Sequence, residues 1–170
     1  CEIFKNYENI NIGPKKKIST GLNWVFQHVD QAIILEDDCL AGLDFFHYCQ
    51  ELLNYYADND KVWLISGNNF QNGNWRGQDS YYFSKYPHTW GWATWKRAWM
   101  HYTDDIPFWD SWKFSSSWKN LMQDNVERKF WEKIFNRVHS GLDTYAFDYA
   151  WVANIWYHKG LAIIPNVNLV

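Results

Sequence analysis

No apolar stretch in the 170-residue sequence reaches the ~20 residues that crossing a bilayer requires, and the opening CEIFKNYENI carries no apolar core of a signal peptide. A soluble chain with no transmembrane segment is therefore expected. An excess of positive charge is missing as well. The 16 Lys and Arg stand against 19 Asp and Glu, a formal net charge of −3, which leaves little with which to neutralise a phosphate backbone. Nucleic acid is accordingly not an expected partner. Cysteine is scarce: Cys1, Cys39 and Cys49 cannot all pair within one chain, and none sits in a CxxC or Cys-plus-His metal spacing. A reducing, cytoplasmic setting follows. Internal repeats, low-complexity tracts and linkers are also absent, so residues 1–170 read as one domain.

What the chain has in abundance is aromatic. It holds 13 Trp, 11 Tyr and 11 Phe, and 47% of its residues are hydrophobic, which is enough apolar surface to offset an ordering cost of roughly 1–2 kcal/mol per residue. Such rings fill cores first, but they also stack on sugars and bases and mark interfaces.

Residues 15–29 place Ile18, Leu22, Val25, Phe26 and Val29 at helical spacing, with Lys15, Lys16 and Lys17 mostly outside the apolar face. Ala32-Ile33-Ile34-Leu35 predicts a short strand covered on both faces. A helix over 43–57 follows, through Phe46, Cys49, Leu52, Leu53 and Tyr56, then a second buried strand over 62–66. The helix-strand alternation predicts an α/β fold with a mixed, largely parallel sheet flanked by helices. Tyr81-Tyr82-Phe83 reads as a strand between loops, and the Trp-dense run 89–95 leads into a short helix through Trp99. Ser116 or Ser117 caps a predicted long helix with Leu121, Val126, Phe130, Ile134 and Val138 on its apolar positions, ended by Gly141. A helix over 148–159 and a strand over 161–165 complete the prediction.

The chemically informative feature is AIILEDDC at 32–39, a strand delivering three consecutive carboxylates to its own C-terminal end, the edge where open α/β sheets bind ligands. Adjacent ionised carboxylates repel one another unless a cation or hydrogen-bond donors compensate. Hard oxygen ligands suit Mg²⁺ or Mn²⁺, ions that bridge carboxylates to substrate phosphates. The competing reading is a solvated acidic turn.

The run ILEDDC, a helix beginning Asp44-Phe45-Phe46, LISG at 64–67, HTWGWATWKRAW at 88–99, FDYAW at 147–151 and IIPNVNLV at 163–170 follow one another in order. Together these blocks resemble bacterial glycosyltransferases of the GT-A fold, which is Rossmann-like, and are more loosely similar to N-acetylglucosaminyltransferase I with its own EDD form of the DxD motif. The resemblance implies a metal-dependent enzyme that moves a sugar from a nucleoside diphosphate donor, a UDP-sugar by preference, to a saccharide or other hydroxyl acceptor, with inversion. Asp38 then matches the position that coordinates the metal holding the donor diphosphate. Glu36 and Asp37 match positions that contact the nucleotide ribose or reach the metal through water. A cation there would stabilise the departing diphosphate as a Lewis acid.

Inverting transfer needs a base for the acceptor hydroxyl, and Asp148 in FDYAW matches the acidic residue that opens a helix on the acceptor side. Helix N-capping is its competing role, and Asp143 or Asp104-Asp105 are the other candidate bases. Trp90, Gly91 and Trp92 resemble the sugar-binding Gly-Trp loop, with core packing as the alternative. His158 resembles a late metal-ligating histidine, or else interacts with the end of its helix. The resemblance also implies a strand-helix unit before residue 1 and a continuation beyond Val170, so that this segment lacks part of the nucleotide site and could bind donor weakly, and membrane association would rest on parts outside it. Two other functions use the same features. A carbohydrate-binding module would explain the Trp content and would be mostly antiparallel β. A metal-dependent phosphotransferase or phosphatase would use the acids, but no Gly-rich phosphate loop precedes Glu36.

Overall fold

The computed structural model describes residues 2–170, and Cys1 lies outside them. Seven helices and five strands follow one another along these described residues: α1 (Pro14–Val25), β1 (Gln31–Ile34), α2 (Leu43–Tyr55), β2 (Val62–Ser66), β3 (Tyr81–Ser84), β4 (Trp92–Trp95), α3 (Lys96–Trp99), α4 (Trp109–Trp112), α5 (Ser116–Leu121), α6 (Asn125–His139), α7 (Asp148–Tyr157) and β5 (Leu161–Pro165). The class is α/β, and the strands form one open sheet in the order β1-β4-β2-β5-β3.

The sheet is not largely parallel. Only β2 and β5 pair in parallel, while β1–β4, β2–β4 and β3–β5 are antiparallel. The cause is β4, which inserts between β1 and β2 and runs against both, pairing Ile34 and Ser66 with the same Trp92. β1, β2 and β5 still share one direction, as the βαβ spacing predicts, but β1 and β2 are not neighbours. All four residues of β4 are buried, and its Trp-Ala-Thr-Trp sequence alternates nothing from which a strand could be read.

β1 is an edge strand, and its residues are half-buried at best rather than covered on both faces. Two apolar clusters cover the sheet. One side takes α2 through Phe45, Cys49, Leu52 and Leu53, spaced i, i+4, i+7 and i+8, so Phe45 rather than Phe46 is its core residue. The other takes Leu22 of α1, Trp99 of α3, and the aromatic rings of α4 to α7, packed on Trp63, Leu64 and Trp92. Cys39 and Cys49 are free thiols, and burial pushes the Cys49 thiol up to about 12.

The predicted helix from Ser116 to Gly141 is two helices. Ser115 caps α5, its Oγ accepting from the Trp118 N–H at 3.1 Å, and Asp124 caps α6, accepting from Val126 and Glu127 at 2.9 and 2.8 Å. An aspartate in extended backbone that satisfies two free N–H groups starts a new helix more effectively than it continues an old one. Gly141, at φ 72°, closes α6: its N–H reaches the Val138 carbonyl and the Leu142 N–H reaches that of Arg137. Val126 and Phe130, expected on the apolar positions, face solvent instead.

Candidate functional site

Because β1, β2 and β5 run together and β4 against them, the chain leaves β1 at Glu36, leaves β2 at Gly67, leaves β5 at Asn166 and enters β4 from Trp90, all at one edge of the sheet. Four stretches distant in sequence converge there for topological reasons alone. Backbone hydrogen bonds fasten them: Gly67 N–H to the Gly91 carbonyl at 2.7 Å, Leu169 N–H to the Gly67 carbonyl at 2.9 Å, and Gly42 N–H to the Leu169 carbonyl at 3.2 Å. The junction admits only glycine at two points. A Cβ on Gly67 would stand 2.5 Å from the Phe45 ring, and one on Gly91, at φ 67°, would stand 2.6 Å from the Val170 side chain.

The acidic triplet sits in a turn closed by the Cys39 N–H on the Glu36 carbonyl at 3.1 Å. Glu36 and Asp38 line a cavity of about 340 Å³ together with Cys39, Leu40, Trp90 and Val170. The triplet is therefore neither isolated nor remote from the Trp loop. Trp90 is 60% exposed and its ring packs edge-on against Phe70, centroids 5.2 Å apart, leaving a face free. Trp92 is 0% exposed and stacks on Phe147 in the core, so the expectation of sugar contact by Trp92 is corrected to packing.

Burial raises the Glu36 carboxyl above its usual range, and the charges of Asp38, Asp148 and Asp37 raise it further. Asp148, 112 residues away in sequence, is thus electrostatically within reach of the triplet. The Asp148 carboxyl is itself raised, chiefly by burial, against which the backbone N–H groups of Tyr149 and Asp148 act. It is the first residue of α7 rather than the N-cap, a place held by Phe147, and its Oδ1 accepts from Tyr149 N–H at 3.0 Å. Of the other candidate bases, Asp143 is occupied by the Tyr145 and Ala146 N–H groups at 3.2 Å each. The Lys15 ammonium, expected on a solvated face, is buried and donates to the carbonyls of Asp104 and Asp143 at 3.2 and 3.1 Å, holding the α3–α4 loop to the α6–α7 loop.

His158 is not part of this site. It follows α7 and precedes β5, at the sheet edge opposite the triplet, where its ring stacks on Trp63 at 5.2 Å and lies 4.6 Å from His101. Three site residues had no sequence signal of their own: Phe70, Leu40 and Asn68. Asn68 is buried and both polar atoms of its amide lack a partner, an uncommon arrangement at a strand exit. The Gly67-Asn68-Asn69 run that follows β2 is the pattern that could have pointed to it.

Among the described residues, no group of three or more His, Cys, Asp or Glu side chains converges as a cation site, and no ion pair reaches Glu36, Asp37, Asp38 or Asp148. The donor set is all hard oxygen, mutually repelling and uncompensated by Lys or Arg. It fits Mg²⁺ or Mn²⁺ held through one or two carboxylates and completed by oxygens of a bound ligand, better than a cation enclosed by protein alone. No protein-family model matches the sequence, and no curated protein matches it.

Proposed function

We propose that the chain carries the catalytic machinery of a metal-dependent glycosyltransferase of the GT-A type, which transfers a sugar from a nucleoside diphosphate donor, a UDP-sugar, to a hydroxyl acceptor with inversion. The observation that supports this reading best is the cavity shared by Glu36, Asp38 and the exposed ring of Trp90, with a half-buried carboxylate, Asp148, close enough to act on Glu36. A carboxylate pair beside an aromatic face is what a sugar phosphate asks for: charge neutralised through a cation, and the C–H face of a pyranose covered by an apolar plane.

In this reading Asp38 holds Mn²⁺ or Mg²⁺, and Glu36 and Asp37 take the ribose or reach the cation through water. The bound cation supplies Lewis-acid stabilisation of the charge that develops on the leaving diphosphate. Trp90 covers the sugar, and Gly91 lets the loop lie against Val170 without a side chain in the way. Asp148 accepts the acceptor hydroxyl proton as the new C–O bond forms and the bond from C1 to the diphosphate oxygen breaks. Its raised carboxyl brings it nearer to neutrality, which suits a general base.

A panel of UDP-sugars and simple phosphate esters, assayed for Mn²⁺-dependent turnover, tests the assignment. Sugar-nucleotide turnover that disappears in Asp38→Asn supports it, and Asp148→Asn should keep UDP binding while losing transfer. Turnover of the phosphate esters alone would replace it with a phosphatase, and undiminished turnover in Asp38→Asn would remove the metal assignment.

A further inference from the structure

We infer that the outer face of α6, with the turn between α4 and α5, is a docking surface for an anionic phospholipid bilayer. The inference is independent of the proposed transfer reaction. Residues 113–137 hold six of the chain's 16 Lys and Arg with only three acids, a net charge of +3, so the remainder of the −3 chain is −6. That asymmetry is spatial as well. A cavity of about 510 Å³ is lined by Lys113, Phe114, Lys119, Arg128 and Lys129, and a second of about 480 Å³ by Lys129, Lys133, Arg137 and Leu142. The two share Lys129, Glu132 and Asn136, so the cations form one continuous patch around a single acid.

The acids nearby are already engaged. Glu132 accepts from the Trp118 indole at 3.1 Å, Asp124 caps α6, and Asp110 takes Lys113 at 2.8 Å and His139 at 3.0 Å. Among the described residues, the side chains of Lys119, Lys129, Lys133 and Arg137 have neither an ion pair nor a hydrogen bond, so their charge faces outward unspent. Beside them Phe114 is 74% exposed, Val126 78%, Phe130 57% and Leu142 70%. A soluble polyanion would gain from the cations and nothing from these four apolar groups. A bilayer surface uses both, with headgroup phosphates on the cations and the apolar side chains at the acyl boundary. No helix among the described residues is long and apolar enough to cross a membrane.

Flotation with vesicles of phosphatidylcholine, with or without phosphatidylglycerol, tests this. The chain should float only with the phosphatidylglycerol vesicles, and less as salt rises. Lys129→Glu with Lys133→Glu and Arg137→Glu should weaken partitioning at least roughly a hundredfold, from about fivefold for each of the three cations removed near such a surface, before the repulsion of the new carboxylates is added. A matched reversal elsewhere, Lys16→Glu with Lys61→Glu and Lys96→Glu, should float much more strongly than that triple variant. Phe114→Ser with Phe130→Ser should also weaken binding although every charge remains. Near-ultraviolet circular dichroism of the Trp-rich core shows that each variant is folded. Failure to bind phosphatidylglycerol vesicles, equal loss in the two charge reversals, or full binding by the Phe variant would each overturn the inference, the last by showing that the exposed rings, which single out a bilayer over a soluble polyanion, take no part.

Discussion

Asp148 is held in a position that costs stability. Burial raises its carboxyl in the folded state, so the ionised form is less favourable there than in the unfolded chain. The sign is therefore that of a penalty: it is absent at low pH, where the group is protonated in both states, and is fully present once the pH exceeds the raised folded value. Asp148→Asn, whose amide oxygen can keep the Tyr149 N–H, should raise the melting temperature by roughly 2–4 °C at neutral pH for each kcal/mol relieved, and the gain should vanish in acid. A variant less stable than the native chain at neutral pH would contradict this. As the base of the proposed transfer, the same residue would set the acid limb of its rate. Asp143, whose charge also raises Asp148, acts on that limb without touching substrate, so Asp143→Asn should move it to lower pH; an unmoved limb in a pH-rate profile would show that Asp143 serves only its turn. The two Trp of the TWGW run show how far residue identity reads out function. Trp90 and Trp92 are indistinguishable as letters, and only the pairing of Trp92 with both Ile34 and Ser66 buries one and frees the other.

At the level of elements, ends were harder to read than middles. The helix over 43–57, the strands over 62–66 and 161–165 and the Gly141 stop are legible because apolar spacing and a left-handed glycine are local signals. The break between α5 and α6 was not legible, because it depends on which of several polar residues captures the free N–H groups. Replacing the winner is informative: Asp124→Ala should cost about 1 kcal/mol in urea unfolding, while Ser116→Ala, just inside α5, should cost far less. The strand exits depend on close backbone approach. Gly67→Ala forces a methyl against the buried Phe45 ring, and such overpacking costs about 1–3 kcal/mol. A neutral Gly67→Ala would mean that the junction of β2 with the Trp90 loop is looser than described.

Across the whole molecule, the strand directions explain why the meeting of the acidic turn with the Trp90 loop was more legible than the strand order. The spacing of helices and strands correctly implied that β1, β2 and β5 run together, which suffices to bring the acids, the Gly67 turn and the 166–170 segment to one edge. It could not reveal β4, a strand with no alternating pattern that enters between β1 and β2 from the far side of the chain and turns a parallel prediction into a mostly antiparallel sheet. The acidic edge and the cationic face of α6 divide the chain's charge, so the proposed metal and lipid sites are separable: reversal of Lys129, Lys133 and Arg137 should leave any Mn²⁺ binding at the acidic edge unchanged. The electron paramagnetic resonance signal of free Mn²⁺, titrated with the chain in the presence of UDP, addresses the acidic edge most directly. The native chain should deplete the free signal and Asp38→Asn should leave it near that of UDP alone, whereas equal depletion by the two, or none by the native chain, would contradict the assignment of Glu36, Asp37 and Asp38 as the grip on a nucleotide-bound cation.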